Sequence, residues 1–93
     1  AITVYVSVRT NQHDDDWLDR FSEGVRAIPE VVEFYRMSGH VDYMLKVVVR
    51  DVAAYDGVYK RLIRLGGLSD VTSSFAMEEL KYTTAIPIVD PAD

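Results

Sequence analysis

The chain has 93 residues and a mass of 10.5 kDa, which is enough for one domain with a single modest core. Its hydrophobic content of 48% argues against disorder, and the absence of cysteine excludes a disulfide scaffold, a cysteine-based zinc site and a thiol nucleophile, so a reducing, cytoplasmic location is expected. Fifteen acidic and ten basic residues give a net charge of −5, which argues against direct binding to nucleic acid or to an anionic membrane.

The first part of the chain predicts a strand, a helix and a second strand. Apolar and polar residues alternate from Ile2 to Arg9, and this period of two is typical of a strand with one apolar face. The aspartates at 14–16 supply an N-cap and negative charge for the start of a helix. The helix has apolar residues at spacings of three and four: Trp17, Leu18, Phe21, Val25 and Ile28. Pro29 ends it, and the run 31–37, rich in β-branched and aromatic residues, predicts the second strand.

The next part predicts a hairpin and a second helix. Residues 38–41 form a short connection in which Gly39 is expected at a positive φ, so that strand 31–37 pairs with a third strand at 42–50. Asp51 is the predicted N-cap of the second helix, which two glycines end at 66 and 67.

A fourth strand is expected from Leu68 to about Lys81, followed by an extended segment to Val89. The order β-α-β-β-α-β predicts a ferredoxin-like α+β fold, in which right-handed crossovers place both helices on one face of a four-stranded antiparallel sheet. We therefore expect one domain at residues 1–89 and a frayed tail at 90–93.

The strands are apolar on both faces, which predicts that the sheet is covered on both faces. On the third strand, Met44 and Val48 lie opposite an apolar row, and Lys46 interrupts them. The second strand is predicted to carry Val32 and Phe34 on one face and Val31, Tyr35 and Met37 on the other. Strands of this kind are buried on both faces, and two helices cover only one, so the chain is expected to self-associate through its sheet.

No set of residues predicts catalysis or a cofactor. The two histidines, His13 and His40, have no second ligand at metal-binding spacing, and no phosphate-binding glycine loop is present. One hairpin remains: a turn at Gly39 exposes backbone N–H groups that can hold a carboxylate, and Asp42 can hold an ammonium group. These are the two charged ends of a free amino acid, although an ordinary hairpin capped by Asp42 explains the same residues.

At this hairpin the chain resembles a known family. The run V-x-x-x-Y-R-M-S-G-H-V-D-Y-M-L-K-V-V-V-R-D-V-x-A-Y, residues 31–55, is similar to the effector-binding and oligomerisation domain of the Lrp/AsnC, or feast/famine, regulators. Residues 67–75, 77–81 and 83–87 resemble the closing strand and tail of that domain. The resemblance covers essentially the whole chain.

The resemblance implies a βαββαβ domain that dimerises through its sheets and assembles into tetramers or octamers. It also implies that an amino acid binds between domains and controls DNA binding by a helix-turn-helix, which is absent from this chain. The chain is then either an excised C-terminal domain or a stand-alone effector domain, and the start at Ala1 directly in a strand favours excision. The ligand-binding positions carried over are Gly39, His40, Val41, Asp42, Ser73, Ser74 and Ala76, while Val52 and Ile63 lie where effector responses are tuned. Val41 stands where many members carry an aromatic residue, and the closing strand most resembles a branch that responds to cysteine.

Two alternatives remain open at this stage. The first is an ACT-type amino-acid-binding domain of a metabolic enzyme, although the loop 10–16 lacks the glycine that such a site uses. The second is a small dimeric α/β-barrel enzyme, for which the strands offer Arg9, Arg36 and Arg50 but no partner base.

Overall fold

Four strands form one antiparallel sheet in this computed structural model, which describes residues 1–88. The elements are β1 (Ile2–Thr10), α1 (Asp15–Arg26), β2 (Val31–Arg36), β3 (Tyr43–Val49), α2 (Val52–Leu65) and β4 (Leu68–Phe75). The strand order β2-β3-β1-β4 is that of the predicted ferredoxin-like α+β fold, which is thereby confirmed. The predicted domain end at 89 and the tail 90–93 lie outside the described residues.

Both helices begin at the predicted aspartates. The Asp14 carboxylate accepts a hydrogen bond from the backbone N–H of Trp17 at 2.7 Å, and the Asp51 carboxylate accepts one from the N–H of Ala54 at 2.7 Å. Each aspartate thereby satisfies one of the N–H groups that the first helical turn leaves free. After α2 the chain turns through Gly66 and Gly67, both at positive φ.

The core lies between the sheet and the two helices. Its buried residues are Val4, Val6, Val8, Trp17, Phe21, Val25, Ile28, Tyr43, Leu45, Val47, Val49, Tyr55, Val58 and Leu62. The helices approach each other closely at Gly24, where an added Cβ would overlap a methyl group of Leu65. All these side chains lie on one side of the sheet, together with both helices, and no helix of residues 1–88 lies on the other side. We call it the open face and define it by Tyr5, Ser7, Glu33, Tyr35, Met44, Lys46, Val48, Thr72 and Ser74.

The structure corrects the predicted faces at the start of β2. A β-bulge lies between Val31 and Glu33: β2 advances by two residues there while β3 advances by one. The side chains of β2 before the bulge therefore lie on the opposite face from the one that simple alternation predicts. Val31 pairs with Val47 and packs against the core, whereas Val32 is 54% exposed. The prediction that Val32 shares the face of Phe34 and that Val31 lies opposite is therefore wrong.

The fourth strand is shorter than predicted. β4 ends at Phe75 rather than near Lys81, and the last sheet bond beyond it joins the N–H of Ala76 to the carbonyl of Thr3 at 2.9 Å. Beyond that bond, residues 77–88 are not paired with β1. Residues 77–88 continue without regular secondary structure and are exposed. None of the helices among residues 1–88 is both long and apolar enough to cross a bilayer.

Candidate functional site

The predicted hairpin projects beyond the sheet between β2 and β3. The N–H of Met37 donates to the carbonyl of Asp42, and the N–H of Asp42 donates to the carbonyl of Val8, both at 2.9 Å. Gly39 has φ 110°, so its predicted positive φ is confirmed, and no atom lies within 4 Å of the place where a Cβ would stand. The turn that includes Gly39 and His40 is exposed and its base is anchored to the sheet.

The Asp42 side chain ties this hairpin to the end of β1. Its Oδ2 accepts a hydrogen bond from the backbone N–H of Thr10 at 2.8 Å. Thr10 is only 5% exposed, and its hydroxyl donates to the carbonyl of Gly67 and accepts from the N–H of Gln12 at 2.9 Å. One carboxylate oxygen therefore has a structural partner, and Oδ1 can accept a further hydrogen bond.

Thr10 is the residue that sequence reasoning missed at this site. It continues the row of Val4, Val6 and Val8 that faces the core, and a polar residue in such a row must find hydrogen-bond partners inside the protein. That break in an apolar row was the available signal. It marked a polar junction between β1, the hairpin and the start of β4.

A cavity of about 330 Å³ lies beside this junction, between the hairpin and the start of α1. It is lined by Thr10, Gln12, His13, Asp15, Leu18, Arg36, Met37, Asp42 and Tyr43. Its charged residues include both signs, and its size is at the lower end of small-molecule sites. Sequence reasoning did not place Arg36 or His13 beside Asp42, because they come from separate elements. Among the described residues, no group of three or more acidic or histidine side chains is placed to hold a metal ion.

The two predicted serines of β4 lie on opposite faces of the sheet. Ser73 pairs with Val6 and faces the helices, where its hydroxyl shares a hydrogen bond with the Tyr55 hydroxyl. Burial is the main cause that raises the pKa of Tyr55. Ser74 pairs with Tyr5 and lies on the open face. A ligand on the open face can therefore contact Ser74, whereas Ser73 belongs to the packing of α2 on β4.

The predicted site residues do not come together within one chain. The hairpin lies at the level of Val8 and Val71, whereas Ser74 lies opposite Tyr5, five residues before the end of β1, and Ala76 lies farther along, beside Thr3. With about 3.3 Å per residue along a strand and about 4.8 Å between strands, Asp42 and Ser74 are about 15 Å apart. Val52 and Ile63 are exposed on α2, in the helical layer. The hairpin and Ser74 therefore do not line one site within a single chain.

The open face carries apolar side chains and a hydrogen-bonded group formed by Glu33, Tyr35 and Lys46. Lys46 Nζ lies 3.2 Å from Glu33 Oε2, and the Tyr35 hydroxyl donates to the other oxygen of Glu33. The Tyr35 bond, followed by the Lys46 bond, lowers the pKa of Glu33, and Glu33 in turn raises the pKa of Lys46. Met44 and Val48 are half-buried on this face and have no helix above them. The charges of Lys46 and Glu33 offset each other, so the open face is suited to burial against another surface.

Comparisons with known proteins identify relatives over most of this chain. A family model for the Lrp/AsnC ligand-binding domain matches residues 3–86. The chain is 50% identical over 89 residues to the DNA-binding transcriptional activator DecR of Escherichia coli K12, an alignment that covers 95% of this chain and 59% of DecR. The crystal structure of an AsnC family transcriptional regulator from Agrobacterium tumefaciens superposes with a TM-score of 0.83 at 62% identity, over 92% of this chain and 56% of that one.

A second similar structure was solved with a bound amino acid. A transcriptional regulator from Neisseria meningitidis, solved as a complex with L-Met, superposes with a TM-score of 0.84 at 30% identity, over 94% of this chain and 56% of that one. This chain thus spans somewhat more than half the length of these relatives, all of which are transcriptional regulators. The resemblance seen in residues 31–55 is confirmed, and the chain belongs to the Lrp/AsnC family, of which it contains the ligand-binding domain.

Proposed function

We propose that this chain senses a free amino acid and thereby controls the assembly of a transcriptional regulator. The observation that carries the proposal is the hairpin, where an exposed turn at Gly39 adjoins an Asp42 carboxylate that a backbone bond holds in place. An amino acid needs N–H donors for its carboxylate and an acceptor for its ammonium group a few ångströms apart. The backbone of 39–41 offers the donors, and Asp42 offers the acceptor.

The binding site is proposed to lie between two chains. Asp42 and Ser74 are about 15 Å apart in one chain, so the hairpin of one protomer and the β4 of another can line one site only after assembly. A ligand bound there stabilises the assembled form by mass action. This makes assembly the quantity that the amino acid controls, in a homodimer or in a tetramer or octamer built from it.

Regulation of DNA binding is proposed to act through a helix-turn-helix elsewhere in the regulator. This chain has a net charge of −5, whereas proteins that bind duplex DNA present basic surfaces to its phosphates. The isolated chain should therefore show no specific DNA binding at ~150 mM salt. The chain is proposed to have no catalytic activity, because the relatives that it matches are transcriptional regulators.

The test is a thermal-shift screen of the chain against the twenty amino acids, followed by calorimetry on those that raise Tm. Methionine and cysteine enter first, since a relative was solved with L-Met and the closing strand resembles a cysteine-responsive branch. We expect at least one amino acid to bind and Asp42→Asn to weaken it. Asp56→Asn, which removes the same charge at an exposed position on α2, is the control and should bind normally. If no amino acid binds, the function is wrong; if Asp42→Asn binds as tightly as the unmodified chain, the site is wrong.

A further inference from the structure

A second cavity lies on the helical side of the sheet, where the end of α1 meets the last turns of α2. Its volume is about 550 Å³, which is within the range of small-molecule sites. It shares no lining residue with the cavity beside the hairpin, and none of the binding positions predicted from the sequence lines it. The amino-acid site of the proposed function therefore leaves this cavity without a role.

The floor of this cavity is apolar. Four apolar side chains line it: Ala27, Ile28, Pro29 and Leu65. Ile28 is buried and Leu65 is half-buried. The gap arises because α1 ends at Arg26, so that only the short side chains of Ala27 and Pro29 follow it beside α2. A ligand with an apolar body would displace water from this floor and gain free energy by doing so.

Two arginines of α2 supply the charge of the cavity. Arg61 and Arg64 are three residues apart, so they are neighbours on the surface of the helix. Arg61 Nη1 lies 3.5 Å from Oε1 of Glu30, whereas no ion pair within residues 1–88 includes Arg64. None of the described residues that line the cavity is acidic. In a chain of net charge −5, this is a local positive site.

The position of Arg64 also has a structural reason, because a cation in the last turn of a helix offsets the negative end of the helix dipole. That reason accounts neither for Arg61, one turn earlier, nor for the apolar floor beside both arginines. The contrast between the two cavities adds a further argument. The cavity beside the hairpin carries both signs of charge, as a zwitterion requires, whereas this one carries positive charge only.

We propose that this cavity binds an aliphatic monocarboxylate, an anion that has an apolar chain and no ammonium group. Its carboxylate lies against the guanidinium of Arg64, beside Arg61, and its chain covers Ile28 and Leu65. Guanidinium groups bind carboxylates by charge-assisted hydrogen bonds, which gives the ligand its orientation. Because the ligand contacts both helices, it stabilises the folded chain by mass action. This site is separate from the amino-acid site of the proposed function.

The first experiment compares three probes by calorimetry on the 93-residue chain. Octanoate carries both the charge and the apolar chain, and we expect it to bind with a Kd below about 1 mM. Octan-1-ol has the same chain without the charge and should bind at least about tenfold more weakly. Acetate has the charge without the chain and should bind at least about a hundredfold more weakly.

The second experiment places octanoate in the cavity. Arg64→Gln removes the positive charge and should weaken octanoate at least about tenfold. Arg20→Gln removes the same charge from an exposed position on α1 outside the cavity, so its Kd should change by less than about twofold. Ala27→Trp fills the cavity while both arginines remain, and it should abolish binding. Ala27 is exposed, so circular dichroism should show that the fold survives in this variant.

The assignment is overturned if octan-1-ol or acetate binds as tightly as octanoate, if Arg64→Gln and Arg20→Gln bind octanoate equally, or if Ala27→Trp still binds it. It is also overturned if Arg64→Gln or Ala27→Trp changes the oligomeric state of the ligand-free chain in sedimentation, since another copy then occupies the cavity.

The same variants keep the two proposals apart. Arg64→Gln and Ala27→Trp should bind the amino acid like the unmodified chain, and Asp42→Asn should bind octanoate like the unmodified chain. A chain that binds an amino acid but no octanoate overturns only the second cavity. A chain that binds octanoate but no amino acid overturns only the proposed function.

Discussion

Replacing Asp42 by alanine removes the acceptor that holds the N–H of Thr10 at 2.8 Å. Thr10 is buried, so its N–H would lose a charge-assisted bond without gaining full access to water. The expected cost is about 1.5–3 kcal/mol of unfolding free energy. In a domain of this size that corresponds to a fall in Tm on the order of 10 °C at fixed protein concentration.

Asp42→Asn separates this structural contribution from the binding contribution. The amide keeps an acceptor oxygen for Thr10 but carries no charge, so its stability should fall by about 1 kcal/mol or less. Both variants lose the charged acceptor for an ammonium group, and both should bind the amino acid about ten- to a hundredfold more weakly. Thermal unfolding and calorimetry on the same samples give the two quantities. Equal stability of the alanine and asparagine variants would refute the assigned role of the Thr10 contact.

Three further predictions follow from the geometry. Val48→Glu places an unpaired charge on the open face and should shift the chain to a monomer in sedimentation, whereas a dimer of unchanged strength would contradict burial of that face. Gly39→Val should lower the free energy of unfolding by about 1–3 kcal/mol, measured by thermal unfolding. The cause is backbone strain alone, because the φ of Gly39 is 110° and the space around it is open; an unchanged Tm would contradict this strain. Ser74→Ala should change which amino acid binds best in the screen and leave the Tm of the free chain unchanged. Ser73→Ala should instead lower Tm, because it removes the hydrogen bond to Tyr55; the reverse pattern would contradict the assigned faces.

Features governed by a few neighbouring residues followed from the sequence alone. Asp14 and Asp51 cap the two helices as predicted, because an N-cap bonds to an N–H only three residues away. The positive φ of Gly39 is likewise a property of one short turn. The order of strands and helices then leaves few topologies, and the ferredoxin-like one is observed. The family resemblance rested on the same local runs of residues.

Features that depend on a partner strand were decided by the tertiary structure. The alternation of β2 predicted the wrong faces for Val31 and Val32, because a bulge is a relation between two strands and leaves little trace in one of them. The alternating pattern of β4 continued past Phe75, yet pairing with β1 ends there, apart from one bond from the N–H of Ala76 to the carbonyl of Thr3. Residue periodicity alone carries no information about where pairing stops.

The site shows the same division. The sequence singled out Gly39 and Asp42 because they share one short hairpin, and the family resemblance added Ser73 and Ser74 to the same predicted site. In the sheet those serines face opposite sides, and Asp42 bonds to Thr10, 32 residues earlier in the chain. Residue types and their spacing determined which chemistry this chain can offer an amino acid. The register of the sheet decided which of those groups can meet, because it sets the distances between residues that are far apart in sequence.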